Sequence, residues 1–295
     1  MDTERLKERA RGTLSRVRTE LGMHPPGALV ETRREQFLAL AEIARRRAGD
    51  VPGENPDLTG HELRVFSQNG EDGVLAEIIR RSGAPGRSFV EFGASDGVEN
   101  NCALLAELGW SGLFVEGGDA EFAGLAHRYA GRPAVTAVQA MVTPANVEDL
   151  FARHGVPPEP DVLSMDVDGS EYWIWEALEA HRPRIVVVEY NGALEPGRRL
   201  VQPRDTGAWR QTDFYGASIE AFVALAGGKG YRLVHCDLTG NNAFFVREDL
   251  PGAYLAPADV PRRRTNFWLT GMRHPPDPAG RRYVDLDARQ AQTDP

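Results

Sequence analysis

The sequence predicts an α/β fold: a mostly parallel sheet with helices on both faces and a C-terminal antiparallel hairpin, preceded by an N-terminal helical arm. Two observations carry this prediction. Between residues 73 and 191, short apolar runs alternate five times with amphipathic segments, the pattern of right-handed βαβ units. After a further helical segment, two strand-like runs at 231–237 and 241–249 flank a short turn, which is typical of a hairpin.

The individual elements follow from residue periodicity. Apolar runs typical of buried strands cover 88–94, 112–117, 134–142, 161–169 and 184–191, and helical spacing covers 73–81, 101–109, 120–131, 145–155, 171–181 and 218–230. Trp173 and Trp175 are expected to pack a helix onto the sheet. Residues 192–214 are polar and irregular, a length of loop that is usually functional or mobile.

Three segments divide the chain. Residues 1–60 are predicted to form a helical arm and a linker, 61–255 the main domain, and 256–295 a C-terminal extension that is partly disordered. In the arm, apolar residues recur at helical spacing. We expect the arm to pack on the main domain; a homodimer contact or a lid over the active site are the alternatives.

Composition and charge exclude several classes of protein. The 295 residues have a net charge of −9, which argues against a strongly cationic nucleic-acid binder. Two cysteines rule out a disulfide scaffold and a cysteine-rich zinc site. No run approaches the ~18 apolar residues of a membrane span, and the N-terminus has no apolar signal core. We therefore expect a cytoplasmic protein that acts on a small molecule, without a nucleic-acid or membrane partner.

The first strand ends in an acid–glycine loop, FVEFGASDG. Small residues at 93–95 let a ligand approach the backbone, and open α/β sheets bind ligands beyond the carboxyl ends of their strands. Ser95 replaces the second glycine of a dinucleotide loop, and Glu91 and Asp96 suit a pyrophosphate poorly. The acids suit a cationic amine, which favours S-adenosylmethionine. Glu116 ends the second strand, where a carboxylate accepts both ribose hydroxyls of either cofactor; a surface glutamate is the alternative.

Five segments together resemble the FkbM-type group of class I S-adenosylmethionine-dependent methyltransferases. They are SQNGEDGVL, FVEFGASDGVENN, GLFVEG, LSMDVDGSEYWIWEAL and VVVEYN, within roughly 65–250. The resemblance implies a Rossmann-like class I methyltransferase sheet and S-adenosylmethionine as cofactor. It implies contacts to the amino-acid part from Glu91, Gly93, Ala94 and Ser95, with Asp96 and Asn101 from the same segment, contacts to the ribose from Glu116, and contacts to adenine from Ala140 and Met141.

Gln68 and Glu71 are further candidates for the cofactor site. Gln68 would donate to the methionine carboxylate, and Glu71 would anchor the loop. The alternative is a helix start, with Ser67 as N-cap and Glu71 in the first turn.

Oxygen-bearing side chains close the fourth and fifth strands. Alternation places Asp166 and Asp168 on one side of the fourth strand, and Glu189 and Asn191 follow the fifth. Hard oxygen ligands suit Mg²⁺. The arrangement is similar to that of catechol-type and macrolide-sugar O-methyltransferases, which implies Asp166, Glu189 and Asn191 as magnesium ligands, although Gly169 stands where those enzymes carry a Lys or His. In the metal-free alternative, Asp166 binds the cofactor amine or acts as base and Glu189 orients the acceptor.

The catalytic candidates are Asp166, Asp168 and Glu189, with His235 as a weaker candidate for the base. Residues 197–218 carry four arginines, Trp209 and Tyr215, and form either a substrate lid for an anionic acceptor or a solvated loop. Together these patterns predict a methyltransferase acting on a sugar or natural-product hydroxyl, with or without magnesium. The alternatives are a nicotinamide-dependent oxidoreductase, a non-methylating S-adenosylmethionine enzyme and a non-catalytic binding protein.

Overall fold

A computed structural model describes residues 55–204, 206–207, 209–266 and 274–288. The predicted helical arm and the dimer contact assigned to it lie outside these residues, as does most of the C-terminal tail that was expected to be disordered. Within the described ranges, no helix is both long enough and apolar enough to cross a membrane.

Seven strands form one twisted sheet in the order β3-β2-β1-β4-β5-β8-β7. Strands β1 to β5 are parallel, and β8 runs antiparallel to both β5 and β7. The predicted fold class, with its C-terminal antiparallel hairpin, is thereby confirmed. The strand bounds are β1 Ser88–Phe92, β2 Ser111–Glu116, β3 Val135–Gln139, β4 Val162–Met165, β5 Ile185–Glu189, β6 Leu200–Val201, β7 Tyr231–Cys236, β8 Asn242–Arg247 and β9 Val284–Asp285.

Helices cover both faces of the sheet, as the alternating pattern predicted. A 3₁₀ turn at Thr59–His61 precedes α1 Glu71–Ser82, α2 Ala103–Glu107, α3 Asp119–Tyr129, α4 Val147–Arg153, α5 Glu171–Ala177 and α6 Ile219–Gly228. Apolar side chains of α1, α2 and α3 belong to the cluster on one face, and those of α4, α5 and α6 to the cluster on the other. Alternation along β1 feeds both clusters, because Phe89 points to the first face while Val90 and Phe92 point to the second.

The two tryptophans of α5 are core residues, as expected. Trp175 is fully buried, and its ring lies 5.1 Å from that of Phe245 and 5.6 Å from that of Tyr231. Trp173 donates its indole N–H to the carbonyl of Gln202 over 2.7 Å. These contacts tie α5 to β7, to β8 and to the segment that follows β6.

One pairing in the region expected to be irregular was not predicted. Strand β6 lies within 192–214 and pairs antiparallel with β9 in the C-terminal extension. Two residues on each strand are too few for a periodicity signal. An ion pair of 2.6 Å between Arg198 and Asp285 supports the pairing.

The close approach of β1 and β4 depends on Gly93. Its φ is +71°, in the left-handed region, and a Cβ at this position would overlap the carbonyl oxygen of Asp166. The strand order reverses between β1 and β4, which is where open α/β sheets bind their ligands. Gly93 therefore brings the two loops of the candidate site into contact.

We predict that Gly93→Ala lowers the free energy of unfolding by at least about 3 kcal/mol, because the new Cβ meets a main-chain oxygen that cannot move alone. Gly109→Ala is the matched control: φ is +79°, but nothing lies within 4 Å of its Cβ. Its cost should be only the left-handed strain, about 1 kcal/mol. Urea denaturation of the two variants checks this, and equal costs would contradict the steric account.

Candidate functional site

A cleft of about 1070 Å³ opens above the carboxyl ends of β1, β2, β3 and β4. Its volume is at the upper end of the range for small-molecule sites. Ten residues predicted for cofactor binding or catalysis line it: Gln68, Glu91, Gly93, Ser95, Asn101, Glu116, Ala140, Met141, Asp166 and Asp168. Five other predicted residues do not line it: Glu71, Ala94, Asp96, Glu189 and Asn191. Of these, Glu189 has a carboxylate oxygen within 4.8 Å of those of Asp166 and Asp168.

Glu91 organises the loop that follows β1. Its carboxylate is buried and accepts main-chain N–H groups from Asn101 over 2.9 Å and from Cys102 over 2.8 Å. Burial raises the pKa of Glu91 to about 7, although these two bonds oppose the shift. The amide of Asn101 in turn donates to Ser164 Oγ over 3.0 Å. Both residues shape the floor of the cleft.

The neighbouring positions of this loop differ in their roles. Ser95 has a φ of +45° and donates its main-chain N–H to Glu116 over 2.7 Å. Ala94 and Asp96, which the sequence assigned to cofactor contacts, do not line the cleft: Ala94 is packed in the core, and the exposed Asp96 accepts the N–H of Val98. Both residues therefore belong to the loop but do not face the cleft.

The carboxylate of Glu116 sits at the end of β2 with both oxygens engaged. Oε2 accepts from Ser95, and Oε1 accepts the N–H of Gly118 over 2.7 Å. Because each carboxylate oxygen has two acceptor positions, both can accept a further hydroxyl proton from a ligand. The wall beyond Glu116 is apolar and formed by Ala140 and Met141, whose side chain is 66% exposed. A carboxylate beside an apolar wall suits a ribose joined to a flat base.

The segment before α1 is tied by two acids. Asp72 Oδ2 accepts three main-chain N–H groups, from residues 65 to 67, within 2.8 Å, and the hydroxyl of Ser67. The buried Glu71 accepts from the main chain and side chain of Asn69 and from the amide of Asn242. Glu71 thus anchors the loop, and Gln68 lines the cleft. The alternative helix start is confirmed in part: Glu71 lies in the first turn and Ser67 Oγ accepts the N–H of Asp72 over 3.2 Å, although Gly70 occupies the N-cap position.

Glu171 holds the loop that follows β4. Its buried carboxylate accepts the N–H groups of Val167 and Gly169, each over 2.9 Å. Burial raises the pKa of Glu171 to about 7. Within this loop, Asp168 has a φ of +58°, a conformation that is rare for a residue with a side chain. The strained backbone directs Asp168 to the cleft, whose lining includes it.

Three carboxylates converge beside this loop. One oxygen each of Asp166, Asp168 and Glu189 lies within 4.8 Å of the others. Burial, followed by the charges of neighbouring acids, raises the pKa of Asp166 and of Glu189 well above the usual values. Glu189 Oε2 is buried with no hydrogen-bond partner. Hard oxygen donors of this kind fit a divalent cation or another positively charged group.

Asn191, the third expected magnesium ligand, is differently placed. Its amide donates to the carbonyls of Asp213 and Tyr215 and to the hydroxyl of Tyr283, each over 3.1 Å, and its oxygen accepts the N–H of Ala193. Through these hydrogen bonds, the side chain of Asn191 joins the segment after β5 to the C-terminal extension. The oxygen cluster therefore contains Asp168 in the place of Asn191.

Three of the four arginines of 197–218 are paired with acids, and the fourth, Arg210, is exposed and does not line the cleft. Arg198 pairs with Glu195 and Asp285, Arg199 pairs with Asp287, and Arg204 pairs with Glu176. Of these, Arg204 lines the cleft, stacked 4.5 Å over the ring of Trp173, and Trp209 lines it as well. An anionic acceptor bound by several arginines, as the lid alternative expected, finds no support here.

The histidines also differ from the expectation. His235 is buried outside the cleft, 2.8 Å from Glu62 Oε1, and burial lowers its pKa to about 4. It therefore does not serve as the base. His274 was missed: its ring lies 4.7 Å from that of Trp209, and it opposes the rise in the pKa of Asp168 that burial causes. No sequence signal marked it, because it lies beyond the predicted domain.

Comparisons with known proteins give only distant likenesses. No protein-family model matches the chain, and no curated protein matches it. Among solved structures, the N-terminal domain of EvdMO1 with SAH bound is 18% identical at a TM-score of 0.41, over 72% of this chain and 97% of that one. The citrinin polyketide synthase CMeT domain is 11% identical at a TM-score of 0.42, over 63% of this chain and 55% of that one.

A third likeness is to a SAM-dependent methyltransferase from Aquifex aeolicus, 12% identical at a TM-score of 0.34, over 59% of this chain and 87% of that one. Similarities at this distance say nothing about what this chain does. Membership of the FkbM-type group stays a prediction.

The buried acids predict that stability falls as pH rises. Carboxyls whose pKa is raised on folding stabilise the protein while protonated, and this contribution is lost above the pKa that they have when unfolded. For Glu91 and Glu171, this loss of stability starts near pH 4.5 and ends near pH 7. For Asp237, the loss ends near pH 8. We expect the free energy of unfolding to decline between about pH 5 and 8, by roughly 1 kcal/mol per pH unit for each such proton.

Urea titrations across this range would measure the slope. Glu189→Gln should flatten it, because one raised carboxyl is removed, whereas Glu121→Gln, at an exposed cleft residue, should not. A stability that rises steadily from pH 5 to 8 would contradict the account.

Proposed function

We propose that this protein is an S-adenosylmethionine-dependent methyltransferase that methylates a hydroxyl group of a small-molecule acceptor, of the sugar or natural-product class. The observation that carries the proposal is the use of main-chain N–H groups around β1 and β2. Those of Ser95 and Gly118 donate to Glu116, and those of Asn101 and Cys102 donate to Glu91. Donors that would cradle a pyrophosphate are thus already taken by carboxylates.

This use of donors supports S-adenosylmethionine over a nicotinamide dinucleotide. A dinucleotide site needs free N–H groups and a helix N-terminus close behind β1. Here α2 has five residues and starts ten residues after Gly93, at Ala103. S-adenosylmethionine has no phosphate, carries a sulfonium and an ammonium, and is compatible with an acid-lined cleft. Its ribose would bind Glu116 and its adenine the wall of Ala140 and Met141, with Gln68 near the methionine carboxylate.

The chain's own residues would do three things in the reaction. Gly93 and the acid-anchored loops hold the cofactor, which supplies an activated methyl group when bound. Glu189 orients the acceptor, and Asp168 takes the proton of the acceptor hydroxyl as the oxygen–carbon bond forms and the carbon–sulfur bond breaks, leaving the electron pair on sulfur. A positioned carboxylate suffices as base because alignment supplies most of the barrier reduction.

A metal-assisted variant of this reaction is the second candidate, favoured by the convergence of Asp166, Asp168 and Glu189. Mg²⁺ held by these three residues would lower the pKa of the acceptor hydroxyl. The fit is partial, because Asn191 is engaged elsewhere. Non-methylating use of the cofactor and a non-catalytic binding role remain the competitors, and the mass of the product or its absence separates them.

For the cofactor site, we expect Glu116→Gln to weaken S-adenosylhomocysteine binding at least tenfold, since the amide puts an N–H₂ group against a main-chain donor and removes one acceptor for ribose. The control is Glu107→Gln, whose carboxylate pairs with Arg132 and does not line the cleft. Calorimetry on both variants measures the effect. If the Glu116→Gln variant is folded and its affinity for S-adenosylhomocysteine is unchanged, the ribose does not bind this carboxylate.

For the chemical step, we expect Asp168→Asn to reduce kcat about 100-fold with little change in cofactor affinity, because the proton acceptor is lost while the loop remains anchored by Glu171. Asp119→Asn, at the start of α3, is the control. The assay follows S-adenosylhomocysteine release from a panel of polyols after chelation and again with added Mg²⁺. Turnover that is lost on chelation and restored by Mg²⁺ favours the metal-assisted variant, and full activity of Asp168→Asn rules out its role as base.

A further inference from the structure

We propose that the acceptor carries a primary ammonium group, which binds between Asn242, Glu189 and Asp166 beside the hydroxyl that is methylated. This inference rests on the proposed function and specifies its substrate class. It would make the substrate an amino alcohol, such as an amino sugar or aminocyclitol, and not a neutral or anionic polyol.

Asn242 supplies the first observation. It lines the cleft, is only 5% exposed, and donates its amide N–H to Glu71 Oε1 over 2.8 Å. Because the Glu71 carboxylate only accepts hydrogen bonds, this contact fixes which end of the amide carries nitrogen. Asn242 Oδ1 is then left buried without a hydrogen-bond partner. A buried carbonyl oxygen in this position calls for a donor from a ligand.

The second observation is that acceptor side chains form one row across three strand ends, and that two of them, Asn242 and Glu189, have an oxygen without a partner. Glu189 and Asn242 are directly opposed in the β5–β8 register, and Glu189 Oε2 also has no partner. On the other side of β5, Met165 is paired with Val188, which places Asp166 beside Glu189. Asp166 and Asn242 line the cleft, and Glu189 ends the strand that lies between theirs. An ammonium group has three donors to offer them.

Charge selects an ammonium over a hydroxyl. One carboxylate oxygen each of Asp166, Asp168 and Glu189 lies within 4.8 Å of the others. Among the described residues that line the cleft, Arg204 is the one basic side chain, and it is paired with Glu176. Neutral hydroxyls would satisfy the hydrogen bonds, whereas a cation would in addition stabilise the ionised form of these clustered carboxyls. An ammonium group donates hydrogen bonds to these acceptors and also compensates their negative charge. The acid-lined surface does not repel it.

Ethanolamine and ethylene glycol test the subsite, because they differ only in an ammonium against a hydroxyl. Each is titrated into the full-length protein saturated with S-adenosylhomocysteine, with chelator present, and the side-chain amide resonances of Asn242 are followed by NMR. We expect ethanolamine to shift these resonances and to bind at least tenfold more tightly than ethylene glycol. Equal binding, or no shift with either compound, would overturn the proposal.

Variants and a competing cation complete the test. Glu189→Gln should abolish the preference for ethanolamine; Glu99→Gln should keep it, since Glu99 also lines the cleft but is paired with Arg64. Preference retained in Glu189→Gln, or displacement of ethanolamine by Mg²⁺ at equal concentration, would overturn the proposal in favour of general electrostatics or a metal site. Should S-adenosylhomocysteine not bind, the proposed function fails, and the titration without it still decides the ammonium subsite.

Discussion

Carboxylates that accept main-chain N–H groups hold the loops around the cleft, and the site depends on them. Such bonds are charge-assisted and therefore strong, and they give direction to loops that have no regular structure. Each of four loops has its own acid. Asp72 binds residues 65–67, Glu91 binds Asn101 and Cys102, Glu116 binds Ser95 and Gly118, and Glu171 binds Val167 and Gly169.

This division separates structural acids from those left for a ligand. No described residue donates a main-chain N–H to Asp166, Asp168 or Glu189, although their pKa values are raised by burial. Like charges brought together without partners cost stability, and such clusters are characteristic of functional sites. The strand order places β4 and β5 side by side and parallel, so the proximity of these acids at their carboxyl ends is a consequence of topology.

The sequence predicted the sheet, its hairpin and ten of the residues that line the cleft, because strand alternation and the acids at strand ends are local patterns. It could not assign each acid a role: Glu91 and Asp166 look alike in sequence, yet one is bonded to the backbone and the other is not. The contacts of Asn191, Asn242 and His274 depend on pairing between distant segments, which periodicity does not report.

The measurement that tests the central claim most directly is the structure of the protein with S-adenosylhomocysteine. Our account places the ribose hydroxyls on Glu116, the adenine against Ala140 and Met141, and the sulfur facing Asp168, with the loops unmoved because their acids are already satisfied. A ligand bound elsewhere, or a nicotinamide dinucleotide whose pyrophosphate displaces Glu116 from Ser95 in a parallel soak, would contradict it.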